Sequence, residues 1–225
     1  MGNYYAESLN SQKLFQVYDT ALPRIEQYFR EEIDFVRRKL TGTERVLEVA
    51  AGYGRIVREL APSCAEIVGM DISEDSVRMG REYLKGVPNA SMVAMDAHKI
   101  TFPPQSFDVT LCLQNALSAM RADDEVIRSI LDLLAPGGTA YFSTYSANFW
   151  EHRVAWFQEQ ADKGLLGELD MEKTRDGVIV CKDGFRATTQ TPEEYEAIGQ
   201  KSGYPYEVTE VDGSSLFLII RKPKG

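Results

Sequence analysis

Residues 46–54 read Val-Leu-Glu-Val-Ala-Ala-Gly-Tyr-Gly, a short apolar run that ends in a glycine-rich turn with an acid beside it. Seventeen positions after Gly54, a second apolar run, Val68-Gly69-Met70, ends in Asp71. The stretch between them, Arg55–Leu60, has helical length and stops at Ala61-Pro62. Strand, glycine turn, helix and strand make a parallel βαβ unit, whose loops gather at the carboxyl edge of a sheet. Such an edge suits a nucleoside lying over the first loop, with the second acid turned to ribose hydroxyls.

The rest of the chain extends that unit. Glu66–Met70 is the second strand, and Ser73 caps a helix running to about Lys85. Ala90–Met95 and Phe107–Leu113 are further strands, and Asp123–Leu134 is a helix stopped by Pro136-Gly137-Gly138. Thr139–Thr144 is the fifth strand. Alternating strands and helices predict parallel pairing with both sheet faces covered. Before this core, Leu14, Val17, Tyr18, Ile25, Tyr28, Phe29, Ile33, Val36 and Leu40 fall at helical spacing. Pro23 divides the segment into two helices. Glu31-Glu32 and Arg37-Arg38-Lys39 suit the dipole of the second.

After Ser146 the alternation breaks. Asn148–Ala161 reads as an aromatic-rich helix, and Lys182-Asp183-Gly184 as the turn of a hairpin between 178–181 and 185–188. These form an insertion, 147–190, on the carboxyl edge. Thr191-Pro192-Glu193-Glu194 carries an N-cap, a proline at the first helical position and a capping-box acid. Tyr206–Val211 and Ser215–Arg221 are joined only by Asp212-Gly213-Ser214, which forces them antiparallel. The expected fold class is α/β: a seven-stranded, mostly parallel sheet with a C-terminal antiparallel strand and helices on both faces.

Composition bears on partners. The chain has 225 residues and a net charge of −9, which argues against a general nucleic-acid surface. Cys64, Cys112 and Cys181 are widely separated and lack metal-ligand spacing, as reduced thiols in a cytoplasmic protein would be. The N-terminus is polar, and the longest apolar run, Leu216–Ile220, is far short of a membrane span. The expectation is a cytoplasmic protein acting on a small molecule, with no nucleic-acid or membrane partner. Oligomeric state is not readable from the chain.

The first loop does not fit the dinucleotide fingerprint Gly-x-Gly-x-x-Gly. Anchoring on Gly52 and Gly54 puts Val57 at the third glycine, and an earlier register meets Ala50 and Arg55. An acid at the strand's end repels a pyrophosphate but accepts hydrogen bonds from an ammonium group. The run Glu48-x-Ala50-x-Gly52-x-Gly54 resembles the first motif of class I S-adenosylmethionine (SAM)-dependent methyltransferases. Asp71, Met95-Asp96-Ala97, Phe107-Asp108-Val109 and Leu134-Ala135-Pro136-Gly137-Gly138 resemble that family's later motifs, in order and at its spacing.

The resemblance implies SAM as cofactor, S-adenosylhomocysteine as product, and a set of binding residues. Glu48, Ala50, Gly52 and Gly54 would wrap the methionine portion, with Ala50 standing where a glycine is usual. Asp71 would take the ribose hydroxyls, Ile72 would pack on the adenine, and Asp96 with the Ala97 amide would meet its edge. Gln114 and Asn115 would lie at the methyl. The alternative for Asp71 is a helix cap, and for Asp96 a solvated loop acid.

The resemblance also divides the chain into a helical lid (1–40), a SAM-binding core (41–146), a lid insertion (147–190) and a closing helix and hairpin (191–225). Acceptor-site candidates come from the lid segments and strand ends: Tyr4, Tyr5, Tyr18, Asn115, Tyr145, Trp150, His152, Arg153 and Trp156. Asn115, Tyr18 and His152 are the candidates for catalysis, with His152 either a base or a helix-surface residue. His98 reads as a loop residue. Phe149, Trp150, Trp156 and Phe157 are either core or substrate cage. Gln114-Asn115-Ala116-Leu117 holds neither the carboxylates of the metal-dependent catechol branch nor the Asn-Pro-Pro-aromatic signature of amino-group nucleic-acid methyltransferases, so no metal is expected. The expected activity is methyl transfer to a small acceptor. The alternatives are SAM binding without transfer and aminopropyl transfer from decarboxylated SAM.

Overall fold

The computed structural model describes residues 11–225. Helices α1 (Ser11–Tyr18) and α2 (Pro23–Arg37) precede strand β1 (Arg45–Val49). Then come α3 (Arg55–Leu60), β2 (Glu66–Asp71), α4 (Glu74–Tyr83), β3 (Ala90–Ala94) and β4 (Phe107–Cys112). A single turn, α5 (Ala116–Ala119), and helix α6 (Asp124–Asp132) lead to β5 (Leu134–Tyr145). The insertion holds α7 (Trp150–Asp162) and a short pair, β6 (Ile179–Val180) and β7 (Arg186–Ala187). Helix α8 (Pro192–Ser202) and the hairpin β8 (Tyr206–Val211) and β9 (Ser215–Arg221) close the chain.

Seven strands form one sheet in the order β3-β2-β1-β4-β5-β9-β8. Pairs within the first five are parallel, whereas β9 runs antiparallel to both β5 and β8. The β8–β9 link turns at Asp212 (φ 57°) and Gly213 (φ 61°), the two left-handed positions of a type I′ turn. Because β1 pairs with β2 on one side and β4 on the other, successive crossovers diverge there. A crevice opens at that switch point, outside the carboxyl ends of the strands.

Two apolar layers cover the sheet, one including Ile56, Val57, Leu60 and Val77, the other Val126, Ile127, Ile130 and Tyr195. A third cluster stands above the carboxyl edge, where Val17, Ile25, Tyr28 and Phe29 meet Tyr145, Phe149, Trp156 and Phe157. Helix α2 belongs to both levels, since Ile33 and Val36 lie in the first layer. The split at Pro23, the hairpin at Asp183-Gly184 and the antiparallel C-terminal pair agree with the sequence reading.

Strand β5 departs from it. The strand starts at Leu134 and runs through Pro136-Gly137-Gly138, with Leu134 paired to Phe107 before a register shift. Gly137 takes φ +83° there, so the glycines bend the strand's start instead of preceding it. Glu32 also departs, because it is fully buried on the inner face of α2.

Helix α8 is fixed by a reciprocal cap. Thr191 accepts from the Glu194 N–H (3.2 Å), and Glu194 accepts from the Thr191 N–H (2.8 Å). Thr191→Ala is expected to cost about 1 kcal/mol in urea unfolding. Adding Glu194→Ala is expected to cost less than it does alone, because one side of a reciprocal pair is already gone.

Candidate functional site

The crevice holds a cavity of about 1080 Å³, running from the glycine loop to the insertion. The loop's shape is held by Asp71, at the end of β2. Its Oδ2 accepts from the Gly52 N–H (2.8 Å) and its Oδ1 from the Ser73 N–H (2.9 Å). Ser73 itself caps α4 through Ser76. Burial raises the Asp71 carboxyl, and the two amides hold it back. Each oxygen keeps a second lone pair for a hydroxyl donor.

Ala50 (φ 58°) and Gly52 (φ 56°) are both left-handed. A Cβ on Gly52 would stand 2.6 Å from Leu14 Cδ2, so α1 rests directly on this backbone. Gly54 differs from its expected role, since it is not among the cavity-lining residues. It is the N-cap of α3 at φ 81°, and a Cβ there would meet Met92 Sδ at 2.9 Å. Its smallness serves helix packing.

Charge is concentrated at one end. Glu48 is buried, and its Oε2 has no hydrogen-bond partner. Desolvation pushes its carboxyl up to about 8, while the Arg55 guanidinium and the Val57 amide pull the other way. Arg55 lies with its guanidinium carbon 4.5 Å from the centre of the Tyr18 ring and 5.0 Å from that of Phe29. Its Nε and Nη2 are buried and unpartnered. Tyr18 lines the same end, and burial pushes its phenol up to about 12. Behind them, Glu32 accepts from Ser143 Oγ (2.6 Å) and from the Gln114 N–H (3.3 Å). Desolvation raises the Glu32 carboxyl above the usual range.

At the opposite side of the crevice Ile72 is 46% exposed, an apolar face without a protein neighbour over it. Asp96 accepts from the His98 N–H (2.9 Å), which with the His98 ring holds its carboxyl low, and Ala97 and His98 line the wall beside it.

Beyond β4, Gln114 (φ 54°) and Asn115 (φ 64°) are left-handed. The Gln114 N–H donates to Ser143 Oγ (2.9 Å), leaving its side-chain Nε2 buried without a partner. Asn115 Nδ2 donates to the Thr188 carbonyl (2.8 Å), and its Oδ1 accepts from Thr144 Oγ1 (2.7 Å). That carboxamide therefore ties the insertion to β5. The insertion's side of the cavity is lined by Trp156, Phe157, Gln160 and Phe185.

Glu48, Ala50, Gly52, Asp71, Ile72, Asp96, Ala97 and Gln114 come together around one cavity, with Tyr18, Asn115, Tyr145 and Trp156. His152 does not. It is exposed on α7, its ring against Phe149 at 5.6 Å, because the helix turns Arg153, Trp156 and Phe157 inward instead. Trp150 and Arg153 also lie outside the lining; Arg153 donates to the Gly177 carbonyl (2.8 Å) and supports Tyr145 at 4.6 Å. Tyr4 and Tyr5 lie outside the described residues. Sequence reasoning missed Glu32, Arg55 and Gln160. Glu32 and Gln160 each interrupt an apolar helix face, and Arg55 directly follows the glycine turn.

A zwitterionic amino-acid head fits the neighbouring but unbonded Glu48 and Arg55, and a nucleoside fits Asp71 and Ile72. Residues 46–138 match the family model described as a methyltransferase domain. That match covers about two fifths of the chain. The ubiquinone/menaquinone biosynthesis C-methyltransferase UbiE of Pseudomonas paraeruginosa is 41% identical over 101 residues, 42% of this chain and 39% of that protein. The chain thus spans about two fifths of the length of that curated relative. Among solved structures, a protein from Pyrococcus horikoshii OT3 is similar over 100% of both chains (TM-score 0.64, 21% identity). DhpI, solved with S-adenosylhomocysteine, is similar over 99% of this chain and 93% of its own (TM-score 0.64, 16% identity). Those two are likenesses of fold.

Burial of Glu48 couples the chain's stability to pH. Its folded carboxyl lies at about 8 against 4.5 in the open chain, so the folded form holds a proton that the unfolded form releases. Stability of the ligand-free chain is expected to fall as pH rises between those values, with a flatter profile in Glu48→Gln. A bound ammonium group lowers the same pKa. Binding of S-adenosylhomocysteine near pH 7 is therefore expected to release close to one proton, read by calorimetry in buffers of different ionisation enthalpy. Glu48→Gln is expected to release none.

Proposed function

We infer that this chain transfers the methyl group of SAM to a small-molecule acceptor, releasing S-adenosylhomocysteine. The observation that carries this reading is a cavity with a charged end at Glu48 and Arg55 and an aromatic end at the insertion. SAM, when bound, supplies a methyl group already activated by its sulfonium.

The protein's part is therefore to hold and to exclude water. Glu48 offers a buried carboxylate to the ammonium, and Arg55 two free N–H groups to the carboxylate. Asp71 accepts from ribose hydroxyls, and Ile72 provides an apolar face for the base. Asn115, by holding Thr188, keeps the insertion over the acceptor. Proximity of this kind is worth about 7–11 kcal/mol. Tyr18, with its phenol at about 12, stays protonated at neutral pH and acts as a donor, not a base.

The lid reading of α1, α2 and the insertion is supported by Leu14 on Gly52 and by the aromatic cluster above the carboxyl edge. No described helix is long and apolar enough to cross a membrane. The three cysteines are buried and unbridged, which suits a reducing cytoplasm, and the acidic net charge disfavours nucleic acid.

Arg55 favours SAM over its decarboxylated form. A ligand without the carboxylate leaves a buried guanidinium unpaired, and that is costly. Incubation with SAM and a panel of phenols, amines, thiols and carboxylates is expected to release S-adenosylhomocysteine with one of these classes. If the chain binds neither SAM nor its product, the reading is wrong. Arg55→Met is expected to weaken S-adenosylhomocysteine about 10- to 100-fold while leaving methylthioadenosine, which lacks the amino-acid head, unchanged. Equal loss for both ligands would reduce Arg55 to a scaffold role.

A further inference from the structure

The insertion's half of the cavity has chemistry opposite to that of the Glu48 end. Its walls are rings: Tyr145 and Trp156 with centroids 6.4 Å apart, Trp156 and Phe157 at 5.8 Å, and Phe157 stacked on Phe185 at 6.2 Å. The charged residues lining this half, Arg121, Asp183 and Arg186, are solvent-exposed and so form a rim. Asp183 is committed besides, accepting from the Phe185 and Gly167 N–H groups. Among the described residues, no ionised group lines the buried wall between these rings. An ammonium acceptor entering there would lose its water without gaining a counter-charge, and would face the buried Arg153 guanidinium behind the Tyr145 and Phe157 rings.

One polar side chain breaks the aromatic wall. Gln160 is 3% exposed, lines the cavity, and its Nε2 has no hydrogen-bond partner. It stands one helical turn from Trp156 and Phe157, on the same face of α7. A buried amide without a partner is a standing cost that a ligand oxygen relieves.

We propose that the acceptor is a neutral, planar hydroxyarene or its keto form, seated against these rings with its oxygen hydrogen-bonded to the Gln160 carboxamide. The step after binding rests on the methyl-transfer reading. The acceptor's electron pair forms the new bond to the methyl carbon, the sulfur keeps the pair of the bond that breaks, and the acceptor's proton passes to water. Recognition of the arene itself depends only on this chain.

The test is calorimetry on the full chain with three probes: 2-naphthol, naphthalene and the 2-naphthylmethylammonium ion. 2-Naphthol is expected to bind at least tenfold more tightly than the other two. Gln160→Leu keeps the volume and removes the donor. It is expected to weaken 2-naphthol about tenfold, to change naphthalene less than twofold, and to leave S-adenosylhomocysteine affinity unchanged, which also shows that the variant folds. Equal losses for 2-naphthol and naphthalene, or an ammonium probe that binds as tightly as 2-naphthol, would overturn the proposal. A chain that binds 2-naphthol through Gln160 but neither SAM nor its product would sustain this recognition and overturn methyl transfer. One that binds SAM but none of the arenes would do the reverse.

Discussion

The Asp71 carboxylate joins the two loops on which the crevice is built. One oxygen takes the Gly52 amide from the first loop, and the other takes the Ser73 amide from the second. Neighbouring parallel strands are held by their ladder only as far as their ends, so the loops beyond them need a separate bond. Asp71 supplies it from the last residue of β2. With the first loop fixed, Gly52 presents a bare backbone to Leu14, and α1 can approach to a distance that any Cβ would forbid. The aromatic cluster that α1 shares with α2 and the insertion then forms above the sheet edge. Beside the two readings the sequence offers for Asp71, ribose ligand or helix cap, the structure adds that of a loop clamp with lone pairs to spare.

Much of the architecture was legible because it rests on local chemistry. Pro23, Ser73, Thr191 with Glu194, and Asp212-Gly213 each act over two to four residues, and each sits where its turn or cap requires. Strand β5 was misplaced at its start because Pro-Gly-Gly is a local stop signal, and pairing with β4 overrode it. That partner is nearly thirty residues away and leaves no trace in the local pattern.

The site was legible where it lies on loops and strand ends, and obscure where it lies on helices. Periodicity reads a helix through its apolar residues, so Glu32 among Ile25, Tyr28, Phe29 and Val36 was counted as a charge near a helix start. Gln160 was hidden in the same way beside Trp156 and Phe157. His152 shows the converse error. Its chemistry drew notice, but the α7 face buried against the sheet edge carries Arg153, Trp156 and Phe157 and leaves His152 in solvent. Asn115 lines the cavity, with its carboxamide occupied by Thr188 and Thr144, which the residue type alone does not show.

The polar groups left unsatisfied around the cavity give the site its thermodynamic character. Glu48 Oε2, Arg55 Nε and Nη2, Gln114 Nε2 and Gln160 Nε2 are all buried without partners, and all five atoms belong to residues lining the one cavity. Each such atom costs about 1–3 kcal/mol in a folded chain. A fold that carries several of them is less stable alone than its apolar layers allow. Thr110 Oγ1 and Tyr195 Oη are also buried without partners, in the sheet and its second layer, so the five cavity atoms are the part of the deficit that lies at the carboxyl edge. Ligands that satisfy these atoms stabilise that region by mass action, and the gain falls on α1, α7 and the insertion before it reaches the sheet. Opening and ordering of the site are thereby separated from unfolding of the core.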